Sequence, residues 1–148
     1  MRPLVHIING PNLNLIGERE PEIYGQENLQ DYIEKLSQEF SQISLQQFQS
    51  NNEGEIIDYI QSIPKTVAGI IINAGAFTHT SIGIPDALRL FRCPIVEVHI
   101  SDIDNREEYR KISYIHDLAW SHIIGLGIYG YKVALIRIYE LNNFKMID

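Results

Sequence analysis

Glu97 and His99 stand two residues apart in IVEVHIS, so a strand through this run puts both on one face. A carboxyl and an imidazole buried side by side are costly unless they pair. Paired, the carboxylate fixes the ring's tautomer and favours its cationic form, as a general acid requires; the alternative is a purely structural pair. Arg19 and Tyr24 share GEREPEIYG. A phenol titrates near about 10 and is a poor base, but a guanidinium beside it favours the phenolate. The two together make a base, or else they are a surface arginine and a packed tyrosine. Asn12 and Asn14 follow the Gly10-Pro11 turn and either aim their amides into a cleft or bond the loop's own backbone. After Asn73, small residues lead to His79 and Ser81, where a following helix offers free N–H groups to an anion. His79 reads equally as a satisfied helix-start residue.

Other chemistries lack their residues. No G-x-S-x-G, H-E-x-x-H, C-x-x-C or G-x-x-x-x-G-K-[ST] pattern occurs, so no serine-hydrolase elbow, metal site or phosphate loop is expected. The five lysines, at 35, 65, 111, 132 and 145, avoid the strand ends, which leaves a Schiff base without a nucleophile. His6, within the first strand, reads as a satisfied core residue, and His116 and His122 lack partners at ligand spacing. Cys93 stands alone, which excludes an internal disulfide, and it reads as a small core residue ahead of PIVEVHI. The net charge of −7 comes with no Lys/Arg cluster, so neither nucleic acid nor a membrane surface is expected as a partner. A few arginines still suffice for a small anionic substrate. The N-terminal apolar run is too short for a signal peptide. The longest charge-free stretch, 118–131, holds a histidine, a serine and three glycines, unlike a membrane span. A cytoplasmic location is the expectation.

The elements that must position these residues alternate along the chain. With 45% hydrophobic and 21% charged residues in 148, the composition is that of one globular domain, 1–148. The 26 isoleucines favour buried strands. Apolar runs predict strands over 4–9, 67–73, 94–100 and 121–127, and a more polar one over 44–49. Leu29, Tyr32, Ile33, Leu36 and Phe40 trace one face of a helix behind Asn28, a suitable N-cap. Ile56, Ile57, Ile60 and Ile63 mark a second helix stopped by Pro64. Short helices are expected over 81–91 and 105–111, and a closing one over 130–142. This order predicts a five-stranded parallel α/β sheet, doubly wound, with helices on both faces. Ligands then bind beyond the carboxyl ends of the strands, where Asn9–Asn14, Asn73–Ser81 and His99–Asp102 fall. Gly17 and Gly25 bracket the Arg19–Tyr24 loop as hinges of a lid.

NGPNLNLIGEREPEIYG, QSNNEGEIIDYI, INAGAFTHTSIGIPDAL, IVEVHISDIDNREEYR and GLGIYGYKVAL together resemble the type II 3-dehydroquinate dehydratases over about residues 5 to 140. The resemblance implies a flavodoxin-like fold and the dehydration of 3-dehydroquinate to 3-dehydroshikimate, a step toward chorismate and aromatic amino acids, with no cofactor and no metal. It implies Tyr24 as the base, Arg19 holding it as phenolate, His99 as the acid oriented by Glu97, and Asn12 holding a water beside the enolate oxygen. It further implies that Asn73, His79, Asp86, Arg110 and the Ile100–Ser101 backbone bind substrate. Trimers grouped as a homododecamer are also implied, with Asp86 reaching a neighbour's site. Asp102 stands where the family commonly has Asn, Phe77 and Pro85 fall at variable positions, and KISYIHDLAW is less typical. A flavodoxin-like module binding flavin or a signalling phosphate is the competing class. A phospho-receiver needs aspartates at the first and third strand ends, where Asn9 and Asn73 stand. A hydro-lyase for another small acid is the competing enzyme.

Overall fold

The computed structural model describes residues 1–18, 22 and 27–145, with the backbone alone at 144 and 145. Five strands form one sheet: β1 (Leu4–Asn9), β2 (Ser44–Gln49), β3 (Gly69–Asn73), β4 (Ile95–His99) and β5 (Ser121–Ile124). Their order is β2-β1-β3-β4-β5 and every pairing is parallel. That is the flavodoxin-like arrangement, whose order reverses between β1 and β3 and opens a crevice at their carboxyl ends. β1, β3 and β4 are buried on both faces, which is why they read as unbroken apolar runs. β2 lies at the edge, and Gln46 and Gln47 face solvent there at no cost.

The helices are α1 (Leu29–Glu39), α2 (Glu53–Ser62), α3 (Gly83–Leu88) and α4 (Tyr129–Lys145). On one face, Leu29, Ile33 and Leu36 of α1 and Tyr131, Ala134, Leu135 and Ile138 of α4 pack on Val5, Ile7, Ile71, Val96 and Val98. On the other, Ile56 and Ile60 of α2 and Ile84 and Leu88 of α3 cover Ile8, Ile70, Ile72 and Ile95. Burying one such side chain is worth about 1.5–3 kcal/mol, against about 1 kcal/mol for an N-cap. Burial therefore decides which face turns inward, and the caps decide where each helix starts. Asn28 and Asn52 accept from the N–H groups of Asp31 and Glu55.

Four expectations change. The strand over 121–127 ends at Ile124, where the chain turns at Gly125 with a φ of 80°. The helix over 105–111 is replaced by two 3₁₀ turns, Ile103–Asn105 and Glu108–Arg110. The Asp102 side chain caps the first by accepting from the Asp104 N–H, and a Glu107–Arg110 ion pair closes the second. The helix over 81–91 shortens to Gly83–Leu88, because Ser81 Oγ accepts from the Ile84 N–H and starts it later. His6 is only half satisfied: Nδ1 lies 2.7 Å from the Tyr59 hydroxyl, while buried Nε2 has no hydrogen-bond partner among the described residues.

Candidate active site

The crevice beyond β1, β3 and β4 is an open cleft with a cavity volume of about 110 Å³. Its base is set by a close approach between two strand ends. The Gly10 N–H donates to the Asn73 carbonyl, and a Cβ on Gly10 would lie 2.1 Å from the Ala74 carbonyl oxygen. Only glycine fits there. The chain then turns at Asn12, whose φ of 67° asparagine tolerates better than most side chains. The Asn12 N–H is held by Asn51 Oδ1 at 2.9 Å, and Asn12 lines the cleft. Asn14 belongs to the loop's own network instead, with its Oδ1 3.5 Å from Gln49 Nε2.

Asn73 ends β3. Its Oδ1 accepts from the Gly75 N–H, and its Nδ2 donates to the Tyr131 hydroxyl at 3.0 Å. That hydroxyl in turn donates to Asn9 Oδ1 at 2.5 Å. Burial pushes the phenol of Tyr131 up from its ordinary value, which keeps it a neutral bridge between the two asparagines. His79 closes the 3₁₀ turn Gly75–His79, and its Nδ1 donates to the Ile112 carbonyl at 2.6 Å. Burial holds His79 below its ordinary value despite that bond, so the neutral ring keeps a bare Nε2 as an acceptor. Ser81 is not in the cleft, since its hydroxyl donates to Glu53 Oε1 at 2.5 Å.

Glu97 and His99 share one face of β4, as their spacing requires, and His99 Nε2 donates to Glu97 Oε1 at 2.6 Å. Glu97 is 2% exposed. Burial alone would raise its pKa, but the hydrogen bond and charge of His99, the hydroxyl of Ser113 at 2.6 Å and the charge of His122 outweigh it. The carboxyl stays ionised below its ordinary range and holds a proton on Nε2. The other ring nitrogen, Nδ1, lies outside that pair, and His99 lines the cleft.

Ile100 and Ser101 continue β4 along the cleft wall, and Arg110 lines the same cleft. The Arg110 Nε donates to Glu107 Oε2 at 2.8 Å; burial would lower its pKa, and Glu107 more than restores it. Arg106 also lines the cleft, with Nη1 3.3 Å from Ser101 Oγ. Sequence reasoning passed over it, although Arg106 and Arg110 share the loop that follows β4. It also passed over Ser113 and His122 on Glu97. His122 nonetheless has neighbours that its own strand does not show: parallel pairing sets it beside Glu97, and its ring stacks on that of His116 at 4.0 Å, while no group of three or more such side chains among the described residues could hold a metal ion. Spacing along one strand does not reveal a neighbour on the next.

Asp86 is not in this chain's cleft. It sits exposed on α3 and pairs with Arg89 at 2.7 Å. Arg19, Tyr24 and Gly25, and with them the lid reading, lie outside the described residues.

A parallel sheet that gathers amides, arginines and a carboxylate-supported imidazole at its switch point defines an acid–base enzyme for a small anion. Residues 3–139 match the model of the family described as dehydroquinase class II. The chain is 56% identical over 143 residues to a 3-dehydroquinate dehydratase of Prochlorococcus marinus subsp. pastoris, covering 93% of this chain and 97% of that one. It is 51% identical over 141 residues to a catabolic 3-dehydroquinase of Aspergillus clavatus, covering 94% and 93%. The fold superposes on the type II dehydroquinase of Butyrivibrio crossotus with a TM-score of 0.87 at 40% identity, over 93% of this chain and 98% of that one. The chain belongs to the class II dehydroquinases.

Proposed function

We propose that this chain eliminates water from 3-dehydroquinate to give 3-dehydroshikimate, through an enolate and without a cofactor, as a step of the shikimate pathway. The observation that carries the reading is His99 held on buried, ionised Glu97 at the wall of a cleft that also bears Arg110. Tyr24, as a phenolate held by Arg19, takes the proton next to the ketone, and the C–H electron pair becomes the enolate. Asn12 holds a water beside the developing oxyanion, where stabilisation counts most. The enolate then collapses and expels a hydroxyl. His99 Nδ1 protonates it, so it leaves as water rather than as hydroxide, a poor leaving group. The electron pair of the broken C–O bond stays with that water, and the product is a conjugated enone.

Arg110 binds the substrate carboxylate by charge-assisted hydrogen bonds. The bare Nε2 of His79, the amide of Asn73 and the Ile100–Ser101 backbone take the hydroxyls and the remaining carboxylate contacts. Asp86 completes the site from a neighbouring subunit of a trimer, and four trimers form a homododecamer. The enzyme works in the cytoplasm. Among the described residues no helix is long and apolar enough to cross a membrane.

Mixing the purified chain with 3-dehydroquinate and following the ultraviolet absorption of the enone tests the activity. His99→Ala should lower turnover by about 10²–10⁴-fold, the usual contribution of a positioned acid, with the fold retained by circular dichroism. Borohydride added with substrate should trap nothing on a lysine. Absence of enone, or a covalent lysine adduct, would overturn the reaction as written.

A further inference from the structure

One oxygen of the catalytic carboxylate remains unexplained. Glu97 Oε1 receives both His99 and Ser113, whereas Oε2 is buried without a hydrogen-bond partner among the described residues. On the adjacent strand, His122 is in register with Glu97, and its Nδ1 is likewise buried and unpartnered. The two orphaned atoms face each other at 3.5 Å. That is a few tenths of an ångström beyond an ordinary N–H···O bond of about 2.7–3.2 Å. His122 is also braced from outside: the His116 ring lies parallel to it, 4.0 Å away and tilted by 8°. His116 itself is exposed, with Nδ1 3.4 Å from Asp117 Oδ1.

We propose that His122 is a positioning residue for the dehydration, its Nδ1–H closing onto Glu97 Oε2 in the working enzyme. A carboxylate anchored at one oxygen only can rotate about its last torsion, which is broad and soft. Anchored at both, it keeps Oε1 aimed at His99 Nε2, and the acid's orientation is inherited from β5. The stacked His116 ring prevents His122 from swinging outward. A buried polar atom left unpaired is costly, so a closed contact here stabilises the arrangement that the reaction uses. Neither residue touches substrate; their effect passes through Glu97 to His99. This proposal rests on the reading of His99 as the acid.

The test compares His122→Val, His122→Asn and His122→Gln in the full chain. The Asn amide nitrogen sits near the Nδ1 position, whereas Gln places its amide one bond further out. His122→Val should lower kcat by about tenfold, the worth of one weak hydrogen bond to a charged acceptor, with KM within about twofold. His122→Asn should hold kcat within about twofold of the parent and His122→Gln should not. If His122→Val does not fold, the Asn and Gln pair carries the test alone. Unchanged kcat in His122→Val, or equal kcat in Asn and Gln, overturns the role of His122. A His99→Ala variant run beside them separates the failures: if it too keeps full turnover, the reading of His99 is what fails.

Discussion

At the residue scale, the site works by leaving each side chain one useful atom. The Ile112 carbonyl occupies His79 Nδ1 and frees Nε2; Glu97 occupies His99 Nε2 and frees Nδ1. These assignments follow from what a carbonyl or a carboxylate can do, which is only accept. The Glu97–His99 pairing was legible because two residues on one strand face are fixed by period two. Ser113 and His122 were not, because they reach Glu97 from a loop and from a neighbouring strand. His6 carries the prediction at this scale. Burial holds its imidazole below its ordinary value of 6.5, and the charged form has no partner at Nε2. Below that value the unfolded chain binds a proton that the folded chain refuses, so stability falls as pH drops from about 6.5 and keeps falling until the folded value is passed. His79, also lowered, acts in the same direction. Urea midpoints measured from pH 7.5 down to 5 should decline, and His6→Gln should flatten the decline. An equal slope in His6→Gln would remove His6 from the account.

At the element scale, the strand ends are held by side chains of distant elements. Tyr131, at the start of α4, bridges Asn9 at the end of β1 and Asn73 at the end of β3, which lie opposite each other in register. The helix thus sets the orientation of a cleft-lining amide from behind the sheet. Tyr131→Phe keeps the ring's packing but leaves Asn9 Oδ1 and Asn73 Nδ2 unpaired in a buried place. That should cost about 1–3 kcal/mol and lower the melting temperature by about 2–10 °C in a chain of this size. Because Asn73 loses its fixed amide, KM should rise more than kcat falls. A normal KM with a lowered melting temperature would confine Tyr131 to stability. The places of the strands along the chain were readable from apolar runs, and the starts of α1 and α2 from their asparagine caps, whereas the flavodoxin-like arrangement was implied by the resemblance. The stretch 105–111 was misread because its charges resemble a solvated helix, whereas Asp102 and Glu107 spend them on capping and closing two tight turns. The Tyr131 bridge spans 122 residues to Asn9, and no local pattern encodes it.

At the scale of the whole molecule, the single chain supplies a cleft but not every group proposed for it. Asp86 and its partner Arg89 both lie on the surface, with side chains 62% and 59% exposed. Most of the apolar residues around Asp86 are satisfied within the chain: Ile84, Leu88 and Phe91 are buried beside α2. Of that stretch Ile82 and Leu90 remain outward, at 56% and 55%, on either side of Asp86. The apolar surface that α3 offers for assembly is therefore small, and it centres on the residues flanking Asp86. If Asp86 reaches a neighbour's cleft, activity must depend on association even where each chain stays folded. Light scattering and turnover followed together through dilution and mild denaturant should show both falling at the same concentration, while far-ultraviolet circular dichroism stays constant. Asp86→Ala should then lower activity, and mixing it with an Arg110→Ala chain should restore part of it, because a mixed ring contains some sites with both groups intact. A folded monomer near 17.0 kDa with full turnover would return Asp86 to a surface ion pair on α3.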